Sequence, residues 1–180
     1  MYMAKLKYIV CYYLIGGVMM KNTIDEVIEL RSKKEYIKAK EKMENILSKD
    51  PNNAYYNYQM AWCLDNLGLE HETIHYYHKS INNNLDLIYL KDAYIGLGST
   101  YRSIGKYKEA EHILYEGLTK YDDSPVLKIF LAITQYNMNN NQKSVSLLID
   151  TLLTNVENTE IHEYKNALKF YNENLDKIFN

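Results

Sequence analysis

The sequence predicts an all-α fold in which pairs of short helices repeat along the chain. Small and large residues recur with a period of 34 positions, which is typical of a helical repeat array. Only 7 Gly and 2 Pro occur among 180 residues, too few turn-forming residues for a sandwich or barrel of many short strands. No segment shows the strict alternation of a β-strand. The chain is therefore predicted to build a superhelix of helical pairs.

The repeat is clearest in residues 94–117. Gly98 and Ala110 are small residues at which two helix axes can approach closely, and Leu114 is a large residue that fills the space between them. Stepping in both directions by 34 needs one insertion of three residues, which falls within residues 82–90. The equivalent positions in the other units are then Val27, Ala39 and Met43; Ala61, Thr73 and Tyr77; and Ala132, Ser144 and Leu148.

This register divides the chain into a helical domain over residues 20–180 and an apolar extension over residues 1–19. Ile161, Tyr164, Leu168 and Tyr171 follow at spacings of three and four, as on one amphipathic helix. A terminal helix with one polar face suits the end of a repeat array. The predicted units are about 20–53, 54–90, 91–124 and 125–157, followed by a capping helix at 158–179.

These residues resemble the tetratricopeptide repeat pattern, with Tyr94 at the usual Trp position and Gly117 at a usual Ala position. The segments Tyr58–Gly68 and Gly96–Gly105 further resemble the bacterial tetratricopeptide repeat group 5 family, over about residues 55–178. The resemblance implies a right-handed αα-superhelix that binds proteins. It implies no established reaction.

In tetratricopeptide arrays the first helix of each unit lines the concave face, so the resemblance also implies a binding groove. The predicted partner-binding residues are Tyr55, Tyr58, Trp62, Asp65, Asn66, Ser99, Arg102 and Tyr136. Other residues expected to face the groove are Asp92, Ile95, Ser103, Val126, Ile129, Ile133 and Asn137. Tyr, Trp and Arg are the residue types that most often carry binding energy.

Two of these residues have a structural alternative. Trp62 adjoins a packing position and either contacts a partner or fills the space between units. Arg102 either presents its guanidinium to a partner's carboxylate or pairs with Asp65 inside the array. Other tyrosines are predicted to pack in the interior rather than to bind, and these are Tyr101, Tyr107, Tyr164 and Tyr171.

One motif suggests metal chemistry. His71-Glu72-Thr73-Ile74-His75 is a literal HExxH string, which on a helix places two histidines on one face where they can bind zinc. Here Thr73 occupies a packing position of the repeat, and no clear third ligand follows. His71 and His75 are therefore only weak metal candidates, and a solvated outer face is the expectation for this segment.

Other catalytic signatures are missing from the sequence. There is no glycine-rich phosphate loop, and Ser99 has no GxSxG context. Cys63 is expected to be buried in mid-helix rather than to act as a nucleophile. The chain is predicted not to be an enzyme and to need no cofactor. With 21 Lys and Arg against 23 Asp and Glu, no dominant nucleic-acid surface is expected either.

The apolar run at residues 8–20 is too short to span a membrane. It allows three interpretations: a mis-assigned start, with translation beginning at Met19 or Met20; a helix packed on the array; or a signal or anchor segment. A start at Met19 or Met20 would leave Cys63 as a lone reduced thiol, which suits the cytoplasm of a bacterium. The predicted partner is a protein or peptide, with a homo-oligomer as the alternative.

Overall fold

The computed structural model describes residues 23–178, and this part of the chain is entirely helical, without a strand. The helices are α1 (Thr23–Ser32), α2 (Tyr36–Leu47), α3 (Ala54–Asp65), α4 (Glu70–Asn82), α5 (Leu87–Ser103), α6 (Tyr107–Lys120), α7 (Pro125–Asn137), α8 (Asn141–Asn155) and α9 (Thr159–Asn172). The all-α class predicted from the sequence is therefore confirmed. The interpretations of residues 1–19 lie outside the described residues.

Each helix packs against the next one along the chain, and α5 also contacts α7. The connections are short, which makes successive helices antiparallel neighbours. Helices α1, α3, α5 and α7 are the first members of four successive pairs, and α9 packs on α8 at the end. This is the architecture of a helical repeat array, in which each unit contacts mainly its neighbours.

The turn between the two helices of each pair repeats its backbone conformation. Lys34, Gly68, Gly105 and Asn139 have φ angles of 63°, 69°, 77° and 62°, and they recur at intervals of 34, 37 and 34 positions. Glycine enters this left-handed region without steric cost, and Asn tolerates it better than most residues. The periodic turn supports the register read from the sequence, including its three-residue insertion.

The insertion lengthens α5 at its N-terminus. This helix has 17 residues and begins at Leu87, before the position at which the third unit was predicted to start. The Asp86 side chain accepts a hydrogen bond from the Ile88 backbone N–H at 3.0 Å and caps the helix. The added turn carries Tyr89, whose ring lies 4.7 Å from that of Tyr55 on α3.

The small residues of the repeat lie where helices approach each other. A Cβ atom at Gly98 would come within 2.6 Å of Leu114 Cγ, and Ala110 is fully buried beside it. Ala61 and Ala132, the equivalents of Gly98, are also fully buried. Leu148 is an exception to the repeat, since it is 42% exposed where its equivalent Leu114 is buried. Helix α9 covers α8 only in part, so the end of the array leaves this position open.

Two tyrosines predicted to pack in the interior are exposed instead. Tyr164 and Tyr171 on α9 keep 62% and 57% of their surface, because no further element covers this helix among residues 23–178. Tyr101 and Tyr107 are half-buried, as expected of packing residues. In the same described range, no helix has the length and apolar character required to cross a bilayer.

Candidate partner-binding face

The first helices α1, α3, α5 and α7 form one continuous face, which we call the groove face. Its helices are joined in order by hydrogen bonds between side chains. The donors and acceptors are Arg31 Nη2 to Gln59 Oε1 at 2.6 Å, Thr100 Oγ1 to Asp65 Oδ1 at 3.2 Å, and Arg102 Nη1 to Asn137 Oδ1 at 3.3 Å. Equivalent helices of successive pairs therefore hold each other through polar contacts on this side.

Four aromatic side chains cluster between α3 and α5. The Tyr58 ring lies 5.6 Å from the rings of both Trp62 and Tyr89, and 6.3 Å from that of Tyr55. All of these pairs are tilted rather than stacked face to face, an arrangement favourable to aromatic rings. Tyr89 was missed by the sequence analysis because it belongs to the insertion, which the repeat register leaves out.

Tyr58 was predicted to line the groove, but the structure buries its side chain. The residue is only 2% exposed, and its ring also packs 6.4 Å from that of Tyr77 on α4. The Tyr89 ring, from the added turn of α5, also packs against it at 5.6 Å. Burial accordingly raises the pKa of the Tyr58 hydroxyl. Tyr55 is half-buried at the edge of the same cluster.

Trp62 packs against the aromatic cluster but is not fully buried. The Arg31 guanidinium lies over the ring at 4.8 Å from its centre, in a cation–π contact. The indole ring thus contacts both the aromatic cluster and the Arg31 guanidinium. A contact with a partner remains a prediction for this residue.

Asp65 does not pair with Arg102, so the ion pair inside the array that the sequence suggested as one alternative is not formed. Its carboxylate accepts hydrogen bonds from Tyr77 Oη at 2.6 Å and from Thr100 Oγ1 at 3.2 Å, while Arg102 donates to Asn137. The residue as a whole is exposed, but its carboxylate is held against α4 and α5. The water lost there raises the pKa of Asp65 to about 6.

The remaining predicted residues vary in accessibility. Asn66 is exposed, although its side-chain Nδ2 donates to the Trp62 carbonyl at 2.6 Å. Ser99 is half-buried. Tyr136 is 64% exposed and is the most accessible of the predicted partner-binding aromatics. It ends a row along one side of α7 whose other members are Val126, Ile129 and Ile133, of which only Ile133 is half-buried rather than exposed.

Arg31 is a groove residue that the sequence analysis missed. It lies 34 positions before Asp65 and 71 before Arg102, so the repeat places it at the equivalent position of the first unit. Stepping the register back by one unit would have found it. The side chain contacts Gln59 and Trp62 of the next pair, and it carries a charge into a mostly aromatic region.

The HExxH segment lies at the start of α4. His71, Glu72 and His75 are exposed, whereas Thr73 is buried as the repeat predicted. Among the described residues, no three His, Cys, Asp or Glu side chains are grouped so that they could hold a metal ion. Cys63 is a fully buried free thiol, and burial raises its pKa to about 11.

Comparison with known proteins places this arrangement in a family. The sequence profile of the tetratrico peptide repeat family matches residues 54–175. A crystal structure of MamA has a TM-score of 0.64 at 21% identity, covering 75% of each chain. Two further structures have a TM-score of 0.60. They are a MamA RS-1 double mutant and a MamA fragment from residue 41 to its end, from Desulfovibrio magneticus RS-1.

The two latter structures are 15% and 14% identical to this chain, of which each covers 86%, and the match spans 94% and 96% of their own lengths. At such identities the likeness shows a shared fold. No curated protein sequence matches this chain.

Proposed function

Since this chain belongs to the tetratrico peptide repeat family, we propose that it is a non-catalytic scaffold that binds a protein or peptide along its groove face. The observation that carries the proposal is the apolar row on α7. Val126, Ile129 and Tyr136 lie on the same side of one helix and are 37%, 38% and 64% exposed. A row of this kind leaves apolar surface in water unless another chain covers it.

The proposed mechanism is docking of an extended or helical segment along this face. Apolar side chains of the partner would cover the row on α7, and Tyr136 supplies the aromatic residue type that often anchors an interface. Trp62, Asn66, Ser99 and Arg102 would contact the neighbouring part of the partner. Tyr58 would act only indirectly, by packing against the Trp62 ring and holding its position.

The experiment is affinity capture with the full chain and a variant carrying Ile129→Ala and Tyr136→Ala. A matched control carries Ile37→Ala and Tyr115→Ala, two exposed apolar residues on the second helices α2 and α6. Circular dichroism establishes that all three proteins are folded. A protein captured by the wild type and the control but not by the groove variant supports the proposal. Equal capture by all three would exclude the groove face.

A second candidate function is self-association through the open end of the array. Helix α8 exposes Val145, Leu148 and Leu152, and Val156 follows directly after it; each of the four is 41–42% exposed. Helix α9 adds further exposed aromatic rings nearby in sequence. Covering this end with a second copy would bury these side chains. Sedimentation velocity over a wide concentration range, with Leu148→Glu as the disrupting variant, distinguishes this candidate from binding of another protein. A strict monomer at every concentration would reject it.

The remote alternative is a metal-dependent hydrolase centred on His71, Glu72 and His75. Nothing in the geometry favours it, since these side chains lie on an exposed helix surface without a third ligand group among the described residues. Elemental analysis of the purified protein tests it directly. Stoichiometric zinc that disappears in a His71→Ala variant would be the result in its favour.

A further inference from the structure

The two arginines of the groove face are incompletely paired. Arg31 donates from Nη2 to Gln59, while its Nη1 is buried without a hydrogen-bond acceptor. Arg102 donates from Nη1 to Asn137, while its Nε is buried without an acceptor. Both acceptors are neutral side-chain amide oxygens. Neither arginine forms an ion pair within the described part of the chain.

Such an arrangement is costly for a guanidinium. This group is a permanent cation with five N–H donors, and a buried donor without an acceptor loses its hydration without compensation. Desolvation accordingly lowers the pKa of Arg31. Asp65, the acidic residue considered as a partner for Arg102, has its carboxylate occupied by Tyr77 and Thr100 instead. An anion brought by a partner would relieve both arginines.

We infer that the groove face recognises acidic peptides, with Arg31 over Trp62 and Arg102 beside Asn137 each receiving a carboxylate side chain. The inference rests on the proposed function and specifies its partner. Rotation of the Arg31 guanidinium out of its contact with Gln59 presents two parallel N–H donors to a carboxylate. One hydrogen bond to a neutral group is thereby exchanged for a charge-assisted, bidentate pair, which is stronger.

The occupant is a separate chain rather than the first residues of this one. Residues 1–22 contain three Lys but no Asp or Glu, so they have no side-chain carboxylate to offer. Nucleic acid is disfavoured by the net charge of -2, which repels a phosphate backbone. Arg102 is joined through Asn137 to α7, so the same peptide is expected to place aliphatic residues on the row that ends at Tyr136.

Selection from a random peptide library tests this inference. The peptides are displayed as N-terminal fusions, which leaves no free terminal carboxylate, and are selected on the full-length wild type, Arg31→Gln and Lys33→Gln. The last variant removes the same charge from an exposed site on the same region of the chain. Strong enrichment of Asp and Glu on the wild type and on Lys33→Gln is the expected result, with clearly weaker enrichment on Arg31→Gln, which retains only Arg102. Equal acidic enrichment on all three would overturn the inference.

The same selection separates failure of the inference from failure of the proposed function. Peptides that lose binding to the Ile129→Ala/Tyr136→Ala protein but carry no acidic bias would keep the groove as a binding face and reject the acidic specificity. If no selected peptide depends on Ile129 or Tyr136, both fall. Arg31→Lys, which keeps the charge without the planar fork, guards against a folding defect in Arg31→Gln.

Trp62 supplies a direct readout, because it is the only tryptophan of the chain. A selected peptide that moves the Arg31 guanidinium should change the emission excited at the red edge, where tyrosine does not absorb. Replacing the acidic residue of that peptide by its amide should weaken binding about 10- to 100-fold, as expected for a hydrogen-bonded charge. An unchanged affinity would contradict the pairing.

Discussion

Gly96 on α5 offers a sharp test of how the second and third helix pairs fit together. A Cβ atom added there would lie 2.3 Å from Tyr77 Oη and 2.4 Å from its Cζ, far inside van der Waals contact. The Tyr77 ring cannot swing away easily, since the residue is 1% exposed. Its hydroxyl also donates to Asp65 at 2.6 Å. Gly96→Ala should therefore displace a buried ring and break this bond.

The expected change in the free energy of unfolding follows from three contributions. Overpacking costs about 1–3 kcal/mol. Loss of a hydrogen bond to a charged group costs about 1.5–3 kcal/mol more. The better helix propensity of Ala returns about 1 kcal/mol. Gly96→Ala should then destabilise the protein by about 1.5–5 kcal/mol, although the same change in an unobstructed helix would stabilise it.

Urea unfolding monitored by circular dichroism measures this difference. Ser99→Ala, one turn along the same helix, serves as the control and should change stability by less than about 0.5 kcal/mol. In a Tyr77→Leu background the obstructing atoms are gone, so Gly96→Ala should become neutral or stabilising. Equal destabilisation in both backgrounds, or none in the wild type, would refute the argument that Tyr77 and Gly96 are matched in shape.

Three further outcomes are expected. Tyr58→Ala should lower the free energy of unfolding by about 3–5 kcal/mol, since it empties a buried aromatic site, whereas Tyr136→Ala should change it by less than about 0.5 kcal/mol. Similar losses for the two variants in urea unfolding would contradict the assigned burial. Because the folded-state pKa of Asp65 is raised to about 6, the free energy of unfolding should increase as the pH falls from about 6 to about 4, by under about 1 kcal/mol for this exposed residue. In pH-dependent unfolding, Asp65→Asn should flatten that change. In a Cys11→Ser protein, Cys63 should resist a thiol reagent at pH 8 until urea unfolds the chain, and rapid reaction of the native protein would show that the thiol is accessible.

Periodic spacing was enough to predict the helical array. Gly98, Ala110 and Leu114 recur with their equivalents at fixed intervals because each unit packs on its neighbours in the same way. The positive φ angles at Gly68 and Gly105 fall at corresponding positions of that register. These features depend on residues that are close in sequence or one unit apart, so they can be predicted from the amino-acid sequence alone. The resemblance to the tetratricopeptide repeat family rested on residues of the same segments.

The fate of individual groove residues required the packed structure. Tyr58 and Tyr136 both belong to first helices and both were predicted to face a partner, yet one is 2% exposed and the other 64%. Tyr58 packs among the rings of Trp62, Tyr77 and Tyr89, and Tyr89 comes from an insertion outside the repeat. Likewise, only the placement of Asn137 and Gln59 shows that Arg102 and Arg31 have neutral partners. Exposure and pairing depend on side chains brought together from different units, and a repeat pattern does not record those contacts.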